Sequence, residues 1–185
     1  NRVTTYGELR EQVAAFRGGL AASGVVADDR VALLRGNSPH FVIAYLATIG
    51  LGAVAVPLNP SSPGPELQSE LTVVAPRVVV VDQIGAGNWS NVDRAAVPSI
   101  EVAVLTEPTA AADGVVAFDD LLAAAAVDVV EVDESQLAVL MFTSGGSSSR
   151  MVALARLALS GAPSADVRRT EKRPAPSSSR AAATL

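Results

Sequence analysis

Apolar positions along this chain follow two rhythms in alternation. Leu9, Val13, Phe16 and Leu20 recur three or four residues apart, the repeat of a helix with one buried side. Thr5-Tyr6-Gly7-Glu8 ahead of them fits a capping box, with Thr5 as N-cap and Glu8 reaching back, and Gly24 is the expected stop. Arg30 to Leu34 then reads as a strand. Asn37-Ser38-Pro39 opens a second helix, with Pro39 suited to its first position; the helix runs to about Ile49, its apolar side including Phe41 and Leu46. Ala53 to Leu58 predicts a strand ended by Pro57 and Pro60, Pro65 to Ala75 a helix, and Arg77 to Asp82 a fully buried strand. A looser stretch containing Gly and Asn follows. Beyond it the pattern predicts a strand at Glu101 to Thr106, a helix at Phe118 to Ala126 and a last strand at Gln136 to Phe142, buried between neighbours.

Strands that alternate with helices, and are apolar on both faces, imply an α/β fold: a largely parallel sheet flanked by helices. The character changes at Gly145. Residues 146–150 are Gly, three Ser and Arg, and residues 168–185 are rich in Arg, Ala, Ser and Pro. The expected organisation is an α/β part over 1–145, a rearranged loop segment over 146–167 with room for one short helix or strand at Val152 to Leu159, and a disordered basic tail over 168–185. Such a tail buries too little apolar surface to offset its ordering entropy. A sheet cut at its last strand is incomplete, so self-association through its open edge is expected.

Composition narrows the classes. Half the 185 residues are apolar but few are aromatic, so the core is built of Ala, Val and Leu. The net charge of −5 excludes a general nucleic-acid binder, since no excess of Lys and Arg is present to neutralise phosphates. Absence of cysteine excludes disulfides, thiolate catalysis and cysteine-held metals, and the cytoplasm is the natural setting. Ile49 to Leu58, with its two glycines, falls short of the ~20 residues a membrane-spanning helix needs. No leader pattern opens the chain, and its start at Asn1 rather than Met suggests a missing natural N-terminus.

Most isolated polar residues have ordinary readings. His40, the sole histidine, lies in the first turn of the second helix without a nucleophile or acid set around it. Asp119-Asp120 suits the start of a helix better than a metal pair. Asp28-Asp29 suits a solvated turn, Gly18-Gly19 close helix packing, and Tyr45 and Trp89 ordinary packing. Thr143 to Ser149, following a buried strand, is either a flexible Ser/Gly turn or a phosphate cradle, in which glycines admit the oxygens and N–H and hydroxyl groups donate to them.

Four segments, in order, decide between these. Thr5-Tyr6-Gly7-Glu8-Leu9, Gly36-Asn37-Ser38-Pro39-His40-Phe41, Gly52-Ala53-Val54-Ala55-Val56-Pro57-Leu58-Asn59-Pro60 and Leu140-Met141-Phe142-Thr143-Ser144-Gly145 resemble the adenylate-forming acyl ligases, the acyl-CoA synthetase family, in a style closest to actinobacterial fatty-acyl ligases. The resemblance implies the N-terminal portion of the large domain of such an enzyme. It implies a carboxylate attacking the α-phosphate of ATP with Mg²⁺ present, then acyl transfer to a thiol, usually coenzyme A. Thr143, Ser144 and Gly145 match the phosphate loop, whose usual continuation is Thr-Thr-Gly-x-Pro-Lys. Gly146 and Ser147 occupy the two Thr positions, Ser148 replaces the loop glycine, Arg150 stands for Pro and Met151 for Lys. Arg156-Leu157-Ala158-Leu159-Ser160-Gly161-Ala162 resembles the family's later Arg-x-x-x-Ser-Gly-Ala-Ala segment, which places Gly161 and Ala162 near the adenine. A long stretch separates these motifs in the family; here they nearly adjoin, as an internal deletion or altered reading frame would leave them. The family's Tyr-Gly-x-Thr-Glu motif, its ribose-binding Asp and its catalytic Lys find no counterpart, so no catalytic residue is assigned. The expected function is a fragment of a fatty-acid-activating ligase, inactive alone. A noncatalytic interaction remnant, or a pseudogene product, are the competing readings.

Overall fold

Strand follows helix through most of the chain, as the two rhythms require. The computed structural model describes residues 3–106, 114–133, 135–143 and 150–155. Helix α1 (Tyr6–Ala22) leads to β1 (Arg30–Leu34), α2 (Pro39–Gly50) to β2 (Val54–Leu58), and α3 (Gly64–Val74) to β3 (Val78–Val81). Then come α4 (Gln83–Trp89), a 3-10 turn at Arg94–Ala96, β4 (Val102–Leu105), β5 (Val115–Ala117), α5 (Phe118–Leu122), β6 (Leu137–Thr143) and β7 (Arg150–Ala155). Among the described residues the strands form one sheet in the order β5-β4-β3-β1-β2-β6-β7. Every neighbouring pair is parallel except β6 and β7.

Both faces are covered, which explains why the strands are apolar at successive positions. Val31, Leu33, Ala55, Val78 and Val80 point to a core shared with Val13, Phe16 and Leu20 of α1, Ile43 and Ala47 of α2, and Phe118 and Leu121 of α5. Ala32, Leu34, Val56, Val79 and Val81 point the other way, to Leu67, Leu71 and Val74 of α3. Full burial of one such large side chain contributes about 1.5–3 kcal/mol.

Local chemistry sets the helix ends. The Thr5 hydroxyl accepts from Glu8 N at 3.2 Å while the Glu8 carboxylate accepts from Thr5 N at 2.7 Å, completing the expected capping box. Ser38 caps α2 by accepting from Phe41 N at 3.2 Å. Gly24, past the end of α1, has φ +84°, a conformation that favours glycine. The Gly18-Gly19 pair allows the expected close packing: a Cβ on Gly18 would lie 1.8 Å from the Ala125 carbonyl oxygen, and one on Gly19 2.7 Å from Leu121.

Several expectations need correction. The stretch after Asp82 is not irregular: Asp82 leaves the strand and caps α4, its Oδ1 accepting from Gly85 N at 2.9 Å. Too short for a visible repeat, α4 is marked by its cap rather than by periodicity. The edge strand β5, three residues long, went unforeseen for the same reason. Helix α5 stops at Leu122 instead of Ala126, because Val127 N donates to Ala14 O at 3.2 Å and Arg17 donates to Val127 O at 2.7 Å through Nε and also through Nη2. These long-range bonds override the helix preference of the alanine run. Leu46 is 37% exposed; the buried stripe of α2 is Ile43, Ala44, Ala47 and Thr48. The sheet also does not end with β6. β7 begins at Arg150, two residues before the Val152 to Leu159 run in which one short helix or strand was expected, and pairs with β6 from Thr143↔Arg150 to Leu137↔Ala155, because its apolar run supplies the ladder partner that an open edge of β6 would otherwise lack. The basic tail over 168–185 lies outside the described residues.

Candidate functional site

The parallel strands all end on one edge, and open α/β sheets bind ligands outside those carboxyl ends. Leu34, Leu58, Val81, Leu105 and Thr143 are the last residues of β1, β2, β3, β4 and β6. β6 reaches this edge by pairing with β2, Ala55 opposite Val139. Thr143 therefore ends β6 at the carboxyl edge of the sheet. Its register partner is Arg150, and Met151 lies opposite Phe142, one step further from the connection between the strands. Ser144, Gly145, Gly146 and Ser147 lie outside the described residues, as do Gly161 and Ala162.

Polar groups just beyond the strand ends hold the rest of the edge rigid. Asp82 Oδ2 accepts from Gly36 N at 2.8 Å, tying the end of β3 to the turn after β1. Asn59 Oδ1 accepts from Ser61 N at 3.0 Å, and Asn88 Nδ2 donates to Pro60 O at 3.0 Å. Arg35 is only 5% exposed; its Nη1 donates to Thr106 Oγ1 at 3.0 Å and to Val81 O at 3.3 Å, while its buried Nε has no hydrogen-bond partner among the described residues. Burial lowers its pKa and Asp82 opposes that shift, yet a guanidinium stays charged. Arg35 and Asp82 were missed as organisers of this edge. The available signal was their position, each a charged residue directly after the last apolar residue of a buried strand.

The bland readings of the other polar residues fit their surroundings. His40 packs its ring against Phe118. Asp119 and Asp120 occupy the first turn of α5. Asp29 lies 3.5 Å from Arg77 Nη1, at the opposite end of the sheet. Tyr45 stacks on Phe41 at 5.9 Å, and Trp89 packs on the second core. No cluster of three His, Cys, Asp or Glu side chains suited to a metal occurs among the described residues. No helix among them is long and apolar enough to cross a membrane.

A mostly parallel sheet with helices on both faces, and a Ser- and Gly-rich sequence after a strand near one flank, defines an α/β protein of the open-sheet class. Residues 1–148 match the family described as AMP-binding enzyme, and the chain belongs to that family. Over 175 residues it is 33% identical to a methyl-dioxo-octahydroindenyl-propanoyl:CoA ligase of Mycobacterium tuberculosis, with 89% of this chain and 34% of that enzyme covered. The corresponding Rhodococcus jostii ligase is 32% identical over 159 residues, covering 76% of this chain and 30% of that enzyme. Among solved structures, a Mycobacterium tuberculosis fatty acyl CoA synthetase superposes with a TM-score of 0.69 at 26% identity, over 82% of this chain and 29% of that one. The chain thus spans about a third of the length of the two ligases, and its fold is the N-terminal portion of the adenylate-forming ligase fold.

Proposed function

We propose that this chain supplies the first part of the large domain of an ATP-dependent acyl-activating ligase acting on a fatty acid, and that it forms no acyl-adenylate by itself. The observation that supports this reading most is the position of Thr143 as the last residue of β6, at the carboxyl edge of the sheet and directly before the Ser- and Gly-rich sequence. In the reaction, a carboxylate oxygen bonds to the α-phosphorus of ATP as the bond to the bridging oxygen breaks and pyrophosphate leaves. A thiol, here taken as that of coenzyme A, then attacks the acyl carbonyl and AMP departs.

The residues at hand fit part of this chemistry. Backbone N–H and hydroxyl groups of Thr143 to Ser147 suit phosphate oxygens, and positioning and charge stabilisation dominate such a step. Mg²⁺ supplies further charge neutralisation when bound with the phosphates, a mode in which it takes few protein ligands. The cation is the weak point. Met151 occupies the lysine position and offers no charge, and Arg150, though opposite Thr143 in the ladder, carries a bulkier fork that does not reproduce an ammonium. Gly161 and Ala162 are the residues we assign to the adenine side. We take a fatty acid as the substrate, a reading supported by the likeness to the Mycobacterium tuberculosis fatty acyl CoA synthetase, while the two ligases compared above carry an octahydroindenyl-propanoyl group in their names, and we take the cytoplasm as the compartment.

ATP–pyrophosphate exchange with fatty acids of graded length tests this. The chain alone is expected to give no carboxylate-dependent exchange, and a version with the full family architecture restored should give it. Exchange by the chain alone would refute the inactivity. Failure of the restored version with every acid would refute the ligase reading. A second use is favoured by one observation: β7 has no partner on its far side among the described residues. Self-association through that edge should appear as dimers or larger species in sedimentation, and a monodisperse monomer would exclude it.

A further inference from the structure

The ring of Phe118 is where four parts of the molecule meet. Phe118 is the first residue of α5 and directly follows β5, so this one buried side chain fixes both elements to the body. Its centroid lies 4.5 Å from that of Phe16 on α1 and 4.8 Å from that of His40 on α2, the latter in an edge-to-face contact. The Arg35 guanidinium, at the end of β1, stands 4.9 Å from the same ring. An aromatic ring attracts a cation over its face and accepts a neutral ring at its edge. The face is already taken by Arg35, which is buried and has no carboxylate within ion-pair distance among the described residues.

We propose that protonation of His40 is a latch: it places a second positive charge on the Phe118 ring beside Arg35 and releases the β5–α5 unit from the sheet. Three charged groups bear on the latch. Arg35 opposes the proton, Asp119 on α5 favours it, and Asp82 at the end of β3 acts on Arg35. α1 meets the cluster through the uncharged Phe16. Burial first, and Arg35 second, hold the His40 imidazole below its ordinary value of 6.5, and Asp119 offsets only part of that. The folded protein therefore binds this proton less tightly than the unfolded chain. The stability tied to neutral His40 is full above about pH 6.5 and is lost as pH falls toward the lower folded value. The loss falls on β5–α5 because β5 has three residues and, among the described residues, pairs only with β4.

The sole histidine of the chain makes the test unambiguous. The ring of His40 is titrated by NMR in the full chain, and amide exchange at Val116, Phe118 and Leu121 is followed from about pH 8 to about pH 5, corrected for intrinsic rates. The ring should titrate below 6.5, and protection at those three amides should fall severalfold in step with it while Val79 and Val80 in β3 hold. In His40→Phe, which keeps an aromatic edge without a titrating group, the fall should vanish. The proposal is overturned if the ring titrates at or above 6.5, if both sets of amides lose protection together, or if His40→Phe shows the same fall. Should that variant not fold, the wild-type titration and exchange decide the matter.

Discussion

The four central strands and the β6–β7 flank are built from similar apolar residues but are held very differently. β1, at the centre, is paired along its length to β2 and β3, and its side chains alternate between two complete helical layers. β6 meets β2 at one register pair, takes its other ladder from β7, and leaves Met141 39% exposed. The scaffold is thus finished where it supports and unfinished where the candidate chemistry sits. An enzyme of this family needs a rigid phosphate cradle, because a cradle that moves by an ångström loses its positioning advantage. Among the described residues, full-length parallel pairing ends at β2, and β6 carries Thr143 beyond it.

Core truncation gives the largest contrast between the two regions. Phe16→Ala removes a fully buried ring in contact with Phe118 and should cost about 3–5 kcal/mol in urea unfolding. Met141→Ala, on the flank, should cost about 0.5 kcal/mol or less. Comparable losses at both sites would mean that the flank is as well packed as the body. Next in size is Gly18→Ala. Its Cβ would collide with the Ala125 carbonyl, so the segment after α5 must shift, at about 1–3 kcal/mol against a helix-propensity gain of about 1 kcal/mol. A more stable Gly18→Ala protein would show that this segment yields freely.

The legible part of the fold was the part where local and global signals agree. The capping box at Thr5 and Glu8, and Pro39 at the head of α2, placed those helices to within a residue, and β1 was read with its observed ends. Elements decided by distant partners were not legible. Nothing near Ala123 announces that Arg17 will seize Val127 and end α5, and the apolar run from Val152 fits a short helix as well as a short strand until β6 is there to pair with it. The candidate site was read from motif residues, of which the structure places Thr143 and the register of Arg150 and Met151. Arg35 and Asp82 escaped because their role depends on strand order, which the sequence does not print.

A pH comparison sharpens the account of the body. Glu70 on α3 is buried and its Oε2 has no hydrogen-bond partner among the described residues; burial, and then Glu66, raise its pKa above the ordinary 4.5. A raised carboxyl stabilises the fold when protonated. That contribution is complete below about pH 4.5 and is lost as pH rises through the folded value. Glu70→Gln should therefore remove a destabilising slope between mildly acid and neutral pH. Parallel stability curves for the two proteins across that range would show that Glu70 is effectively solvated.

The mildest test lies at the outer rim of the body, where the interactions are all exposed. Thr5→Ala deletes the hydroxyl that accepts from Glu8 N and so removes one half of the capping box, keeping the bond from the backbone N of residue 5 to the Glu8 carboxylate. Caps of this kind contribute about 1 kcal/mol, since they satisfy N–H groups that water can otherwise reach. The first turn of α1 should fray, lowering the urea midpoint slightly without changing the slope. The cores behind Val13 and Phe16 begin two turns further on and should be untouched. Thr5→Ser should restore most of the loss, because a serine hydroxyl caps as well. If Thr5→Ala were instead as costly as Phe16→Ala, the N-terminal turn would be part of the folding core, and the line drawn between a rigid body and loosely held margins would have to be redrawn inside α1.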